Sequence, residues 1–171
     1  IWDVGWVVAI GGGVDVGSAD VVVIGGSMLR VSGWGGGVVG VVVVVVVLVL
    51  DVDEGGALGV VLNRPSPVPV AEVLEGWDEV VAEPEVLFRG GPVSTEGALA
   101  VGWLHEDEES PVGFREISGR LGIVDLDTPV ELVDGSLAGM RIFAGYAGWG
   151  AGQLDEEIRE GLRDLWNAMQ A

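Results

Sequence analysis

Residues 141–154 read Arg-Ile-Phe-Ala-Gly-Tyr-Ala-Gly-Trp-Gly-Ala-Gly-Gln-Leu. The first part is apolar and reads as a strand over 140–144. The last part opens a helix, with Leu154 and Ile158 on one face and Asp155, Glu156, Glu157 and Glu160 on the rest. Between them Gly145, Gly148, Gly150 and Gly152 allow tight turning and close backbone approach. Residues 145–152 are therefore expected to form a glycine-rich loop between strand and helix. Backbone amides at the helix start could hold an anion. Tyr146 and Trp149 could stack on a flat ligand, with Gly148 and Gln153 beside them. A plainer reading stays open, in which the glycines shape a turn and the aromatics fill the core. The stretch has no Gly-Lys-Ser/Thr and is not a dinucleotide fingerprint.

Working outward, residues 41–50 form a β-branched apolar run without alternation, which suggests a strand covered on both faces. Residues 21–24 are a weaker strand candidate, and 11–13 and 35–37 read as turns. Residues 51–56 (DVDEGG) turn the chain into a second strand at 57–62, giving a hairpin. Val70, Val73, Leu74 and Trp77 recur at helical spacing, so 70–77 is expected to be an amphipathic helix shortened by Gly76. Strands are expected at 85–89, 98–105, 115–118 and 121–126. Asp127-Thr128-Pro129 opens a short helix ending by Gly135. Leu162, Leu165, Trp166 and Met169 extend the C-terminal helix's apolar stripe. Strands interleaved with short helices give an α+β class in one domain over 1–171.

Two further motifs end strands. Asn63-Arg64-Pro65 offers an amide and a guanidinium suited to carboxylate or phosphate; equally, Arg64 could tie loops together through carbonyls or through Asp51 or Asp53. Gly90-Gly91-Pro92 is a ligand loop or a plain turn. Three strand ends of this kind are expected to meet at one edge of a sheet, where ligands often sit. His105 is the only histidine. As a general base it would need Ser94 or Thr95 as nucleophile and an acid to orient it, and no local spacing supports that. One imidazole and no cysteine argue against structural zinc, and the run 106–109 reads as a solvated acidic loop. Neither a metal nor a cofactor is expected.

Acids number 27 and bases 8, all arginine, for a net charge of −19. That balance disfavours direct nucleic-acid binding and docking on anionic lipid, and the arginines look scattered along the chain. An apolar content of 49% excludes a disordered tail. Composition breaks near residue 50. Residues 1–50 hold 19 Val and 12 Gly among only ten residue types, whereas 51–171 hold 24 acids and 7 arginines. The Val/Gly segment can be read as low complexity, as a membrane segment, or as valine and glycine standing in for other residues. Its longest apolar run, residues 38–50 broken by Gly40, falls short of the roughly 20 residues a spanning helix needs. No signal-peptide pattern precedes it. The stand-in reading is adopted, so no functional weight rests on Trp2, Trp6, Trp34 or Asp15. A cytoplasmic protein is expected.

At the same motifs the sequence resembles the YqgE/AlgH family. The resemblance rests on Gly59-Val60-Val61-Leu62-Asn63-Arg64-Pro65, on Gly90-Gly91-Pro92-Val93, and on residues 141–149 with Gly152-Gln153-Leu154 and Glu157-Ile158. It covers about 48–161. The chain departs from the pattern at Asp51-Val52-Asp53, where the family has an acid-His-Asp triplet. It also departs upstream, where a Pro-Phe-Arg-Thr-type segment is absent. After Gly161 a stretch of family sequence is expected to be missing, which would break the continuous C-terminal helix. The resemblance implies a compact α+β domain around a strongly curved, partly barrel-like sheet flanked by helices. It also implies a regulatory role without a settled activity. The function expected is a module that binds a small anionic ligand or a protein partner. A hydrolase using His105 with Asp51 or Asp53, and a transcriptional regulator touching DNA, are the alternatives.

Overall fold

The computed structural model describes residues 8–9, 21–32 and 38–170, with side chains described over 45–160 and at 163 and 170. Its strands are β1 (Val8–Ala9), β2 (Val21–Ser32), β3 (Val38–Asp53), β4 (Gly56–Val61), β5 (Pro65–Pro69), β6 (Val86–Arg89), β7 (Val93–Leu104), β8 (Phe114–Ser118), β9 (Leu121–Val124) and β10 (Leu137–Gly150). The helix α1 (Gln153–Gln170) follows. Trp2, Trp6, Asp15 and Trp34 and the turns expected at 11–13 and 35–37 lie outside the described residues, as do the side chains of Leu162, Leu165, Trp166 and Met169.

The valine run behaves as its branching predicts. Along β3, Val47 and Val49 pack beneath Leu154 and Ile158 of α1, while Leu48 and Leu50 face the opposite way, towards Val60, Phe88 and Phe143. Between Val47 and Leu50 both faces are thus covered. β3 turns back on β4 as an antiparallel hairpin with Asp53 opposite Gly56. The Asp53 carboxylate closes the turn by accepting from the N–H groups of Gly55 and Gly56, at 2.6 and 3.0 Å.

The sheet runs β1-β2-β3-β4-β10-β7-β9-β8, with β5 and β6 attached through a parallel β6–β10 pair. One apolar cluster draws on β3, β4, β6, β7 and β10, with Ile117 of β8 and Leu121 of β9 packed against it. Strands so far apart in sheet order share a cluster only because the sheet curls into a half-barrel. On the other face Val70, Trp77, Val81, Val133, Met140 and Ile142 form a separate core.

The helices differ from expectation. Residues 70–77 form a single 3-10 turn, Val70–Glu72, followed by turns. Pro67 and Pro69 precede it, and Gly76 at φ +87° stops an α-helix from continuing. Val70 and Trp77 are nevertheless buried and Leu74 half-buried, while Val73 is 52% exposed. The helix expected after Pro129 is likewise two 3-10 turns, Val130–Leu132 and Asp134–Ser136. Only α1 among the described elements is a true α-helix, and it runs unbroken through Gly161. The domain is therefore mostly strand, with less flanking helix than the resemblance implied. No helix among the described residues is long and apolar enough to cross a membrane.

Candidate functional site

The glycine-rich stretch is not a loop. β10 continues through it to Gly150, and residues 147–150 pair with 56–59 of β4. Gly145 at φ +73° carries an irregularity in the pairing with β7, between Ala144 and Tyr146. That bend admits the backbone of Gly91 and Val93, whose carbonyl oxygens would lie 2.5 and 2.9 Å from a Cβ at position 145. A run of glycines reads locally as a loop, but here each position is fixed by strands distant in sequence.

The three motifs do come together, though not as three strand ends at one sheet edge. The ends of β4 and β6 close on the middle of β10. Val61 N–H donates to Gly90 O at 2.8 Å, and Gly90 N–H donates to Ala144 O at 2.9 Å. Arg89 N–H donates to Arg64 O at 2.8 Å. The Asn63 side-chain oxygen accepts from Val46 N–H at 3.0 Å, which ties the turn to β3. Gly90 is buried and Gly91 half-buried in this seam, while Pro92 is exposed at its mouth.

Tyr146 packs with the cluster inside the curl and Trp149 with the cluster beneath α1. The two rings lie on opposite faces of the sheet, so they cannot sandwich one ligand. Trp149 Nε1 donates to Glu157 at 2.9 Å. Gln153 accepts from Gly150 N–H at 3.0 Å and donates to Glu157 at 3.3 Å. These residues lock α1 onto the end of β10, and Gly148 is exposed between them. Glu157→Ala, which strips the partner from both Trp149 and Gln153, is expected to lower stability by about 1 kcal/mol in urea denaturation.

Arg64 and Arg89 are exposed, and neither guanidinium has a hydrogen bond or ion pair among the described residues. Arg141, to which the sequence assigned no role, reaches the same turn: its Nη1 donates to Leu62 O at 3.2 Å. Its guanidinium carbon sits 4.1 Å above the centre of the Phe88 ring, a cation–π geometry. Burial pulls the Arg141 pKa below its ordinary value. Three of the eight arginines thus converge on one turn, where the sequence had suggested scatter. The signal was an arginine set between Met140 and Ile142, in a strand that is otherwise core.

His105 is exposed at the end of β7, and its backbone N–H donates to Ser136 O. Ser94 and Thr95 lie at the other end of that strand, about 30 Å away at the usual rise per residue. Asp53 serves the β3–β4 turn, beside the far end of β10. No nucleophile–base–acid group forms from these residues. Among the described residues no cluster of three or more His, Asp or Glu could hold a metal. A separate open groove of about 720 Å³ lies between β7, β8 and β9, lined by Leu74, Leu99, Phe114 and Ile123 with Asp125 and Asp127. Arg115 lines it too, so its charged groups are mixed, and it lies apart from the Asn63-Arg64-Pro65 turn.

A curled sheet whose long central strand is gripped by an Asn-Arg-Pro turn and a Gly-Gly-Pro turn is the class of protein this geometry defines. The chain belongs to the family described as AlgH-like (DUF179), which matches residues 44–169 and so reaches beyond the span of 48–161 to take in α1. It is 53% identical over 117 residues to a UPF0301 protein of Streptomyces avermitilis, covering 67% of this chain and 61% of that protein. To a UPF0301 protein of Mycobacterium tuberculosis it is 43% identical over 125 residues, covering 72% and 60%. A protein of Corynebacterium diphtheriae solved by X-ray crystallography superposes with a TM-score of 0.66 at 32% identity, covering 68% of this chain and 62% of that one. The chain spans about three fifths of the length of the curated relatives it matches.

Proposed function

We propose that this chain is a binding module that takes a small anion at the Asn63-Arg64-Pro65 turn, and that occupancy of the turn is the signal of a regulatory role. The observation that carries the reading is the pair Arg64 and Arg89, joined through one backbone hydrogen bond and left without a carboxylate among the described residues. Acids outnumber bases 27 to 8 in this chain, so exposed guanidinium groups without an ion pair among the described residues are suited to an external anion. The acidity of the chain supports a module acting away from nucleic acid and anionic membrane.

A ligand that binds only the folded state raises the melting temperature by mass action. Acetate and inorganic phosphate are expected to raise Tm at constant ionic strength in the wild type and to leave Arg64→Ala unmoved. The unliganded variant should melt within about 2 °C of the wild type, as an exposed substitution implies. An undiminished rise in Arg64→Ala, or a variant that fails to fold, overturns the assignment.

A further inference from the structure

We infer that the anion this site prefers is a carboxylate carried on an apolar body, held by Arg141 against Phe88. The inference rests on the anion-binding reading above and names the ligand class for the same turn. Nη1 of Arg141 is taken by the Leu62 carbonyl. Nε is buried with no hydrogen-bond partner, and Nη2 has none among the described residues. Nε and Nη2 together form the side-on edge of the guanidinium, the edge that accepts the two oxygens of a planar carboxylate in parallel. A buried, unmet donor is rare and calls for a partner. Nε is shielded from solvent, so a carboxylate meets it only by displacing part of the apolar wall around it.

The wall is suited to such a group. Phe88 and Phe143 stand tilted at 57° with ring centres 6.1 Å apart. Val101 lies opposite Arg141 in the neighbouring strand. Leu62 and Val86 are only half-buried around the same cluster. Their exposed apolar surface would be covered by a ligand's hydrocarbon part. Phosphate is tetrahedral and strongly hydrated, and it gains nothing from that surface. Arg64, exposed at the turn, supplies the long-range attraction, and Arg141 reads the shape of the head group.

Calorimetric titration with octanoate, acetate, octanol and inorganic phosphate tests this. In the wild type octanoate is expected to bind about tenfold or more tightly than acetate, phosphate or octanol. Arg141→Lys keeps the charge but loses the planar fork, and is expected to weaken octanoate and acetate alike, each about tenfold, while phosphate stays unchanged. Octanol binding as well as octanoate, or octanoate no tighter than phosphate, overturns the inference. If Arg141→Lys does not fold, the wild-type comparison of octanoate with octanol decides alone. Binding of acetate and phosphate without any preference for octanoate defeats the carboxylate inference and leaves the anion reading standing. Binding of none of the anions defeats both.

Discussion

Gly91→Ala is expected to destabilise the fold by about 4 kcal/mol or more, a large share of the roughly 5–15 kcal/mol that holds a domain folded. A Cβ at position 91 would lie 2.2 Å from both the carbonyl carbon and the oxygen of Tyr146, and 2.4 Å from the nitrogen of Ala147. These are backbone atoms of β10. The strand is held on either side of the contact, by β7 as far as Tyr146 and by β4 from Ala147 onward. It can yield only by giving up ladder hydrogen bonds. Ordinary overpacking, which flexible side chains relieve, costs about 1–3 kcal/mol, and this contact has no flexible side chain to move. Gly148→Ala is the internal control. It lies in β10, the strand against which Gly91 packs, but its nearest neighbours would be side-chain atoms at 3.7 and 3.8 Å, so a change within about 0.5 kcal/mol is expected. Chemical denaturation of the two variants distinguishes them. Equal stabilities would mean that the turn at 90–92 does not close on β10 as described.

Phe143→Ala should cost about 3–5 kcal/mol, the usual range for emptying a buried phenyl site. Phe143 is 1% exposed and sits where β6, β7 and β10 meet. Its ring packs beside Phe88, which carries the Arg141 guanidinium on its face. The loss therefore has a second consequence: Phe88 becomes free to tilt, and Arg141 loses the surface that fixes its plane. Phe143→Leu keeps most of the volume and is expected to cost less than about 1.5 kcal/mol. Should Phe143→Ala melt within 2 °C of the wild type, the cluster inside the curl is not the core of this protein.

Local patterns made part of this architecture legible. The branched run ending at Leu50, the polar DVDEGG turn and the strand after it form a hairpin whose two partners are adjacent in sequence, and the structure places it there. The covering of β3 on both faces between Val47 and Leu50 followed from the lack of alternation. The meeting of the Asn-Arg-Pro and Gly-Gly-Pro motifs with the strand around residue 144 was also anticipated, although as an edge. What failed was whatever depended on distant pairing. Residues 145–150 look like a loop because glycines disfavour a strand when considered alone. β4, β7 and the close backbone approach at Gly91 override that preference. Residues 70–77 carry helical spacing because a face has to be buried, and a succession of turns buries Val70 and Trp77 as well as a helix would. The spacing of Tyr146 and Trp149 suggested a pair on a ligand only while that segment was read as a loop. In a strand, three residues apart means opposite faces. Arg141 passed unnoticed because its role depends on Leu62 and Phe88, which are far from it in sequence.

The central claim is that an anion sits at the turn where Arg64 and Arg89 meet. The most direct measurement is nitrogen-resolved NMR of the arginine Nε–H signals during titration with acetate at constant ionic strength, assigned through single Arg→Lys variants. The account predicts saturable shifts at Arg64 and Arg89, with the signals of Arg115 and Arg159 staying still. No saturable shift at Arg64 and Arg89, or a uniform drift of every arginine signal, would contradict it.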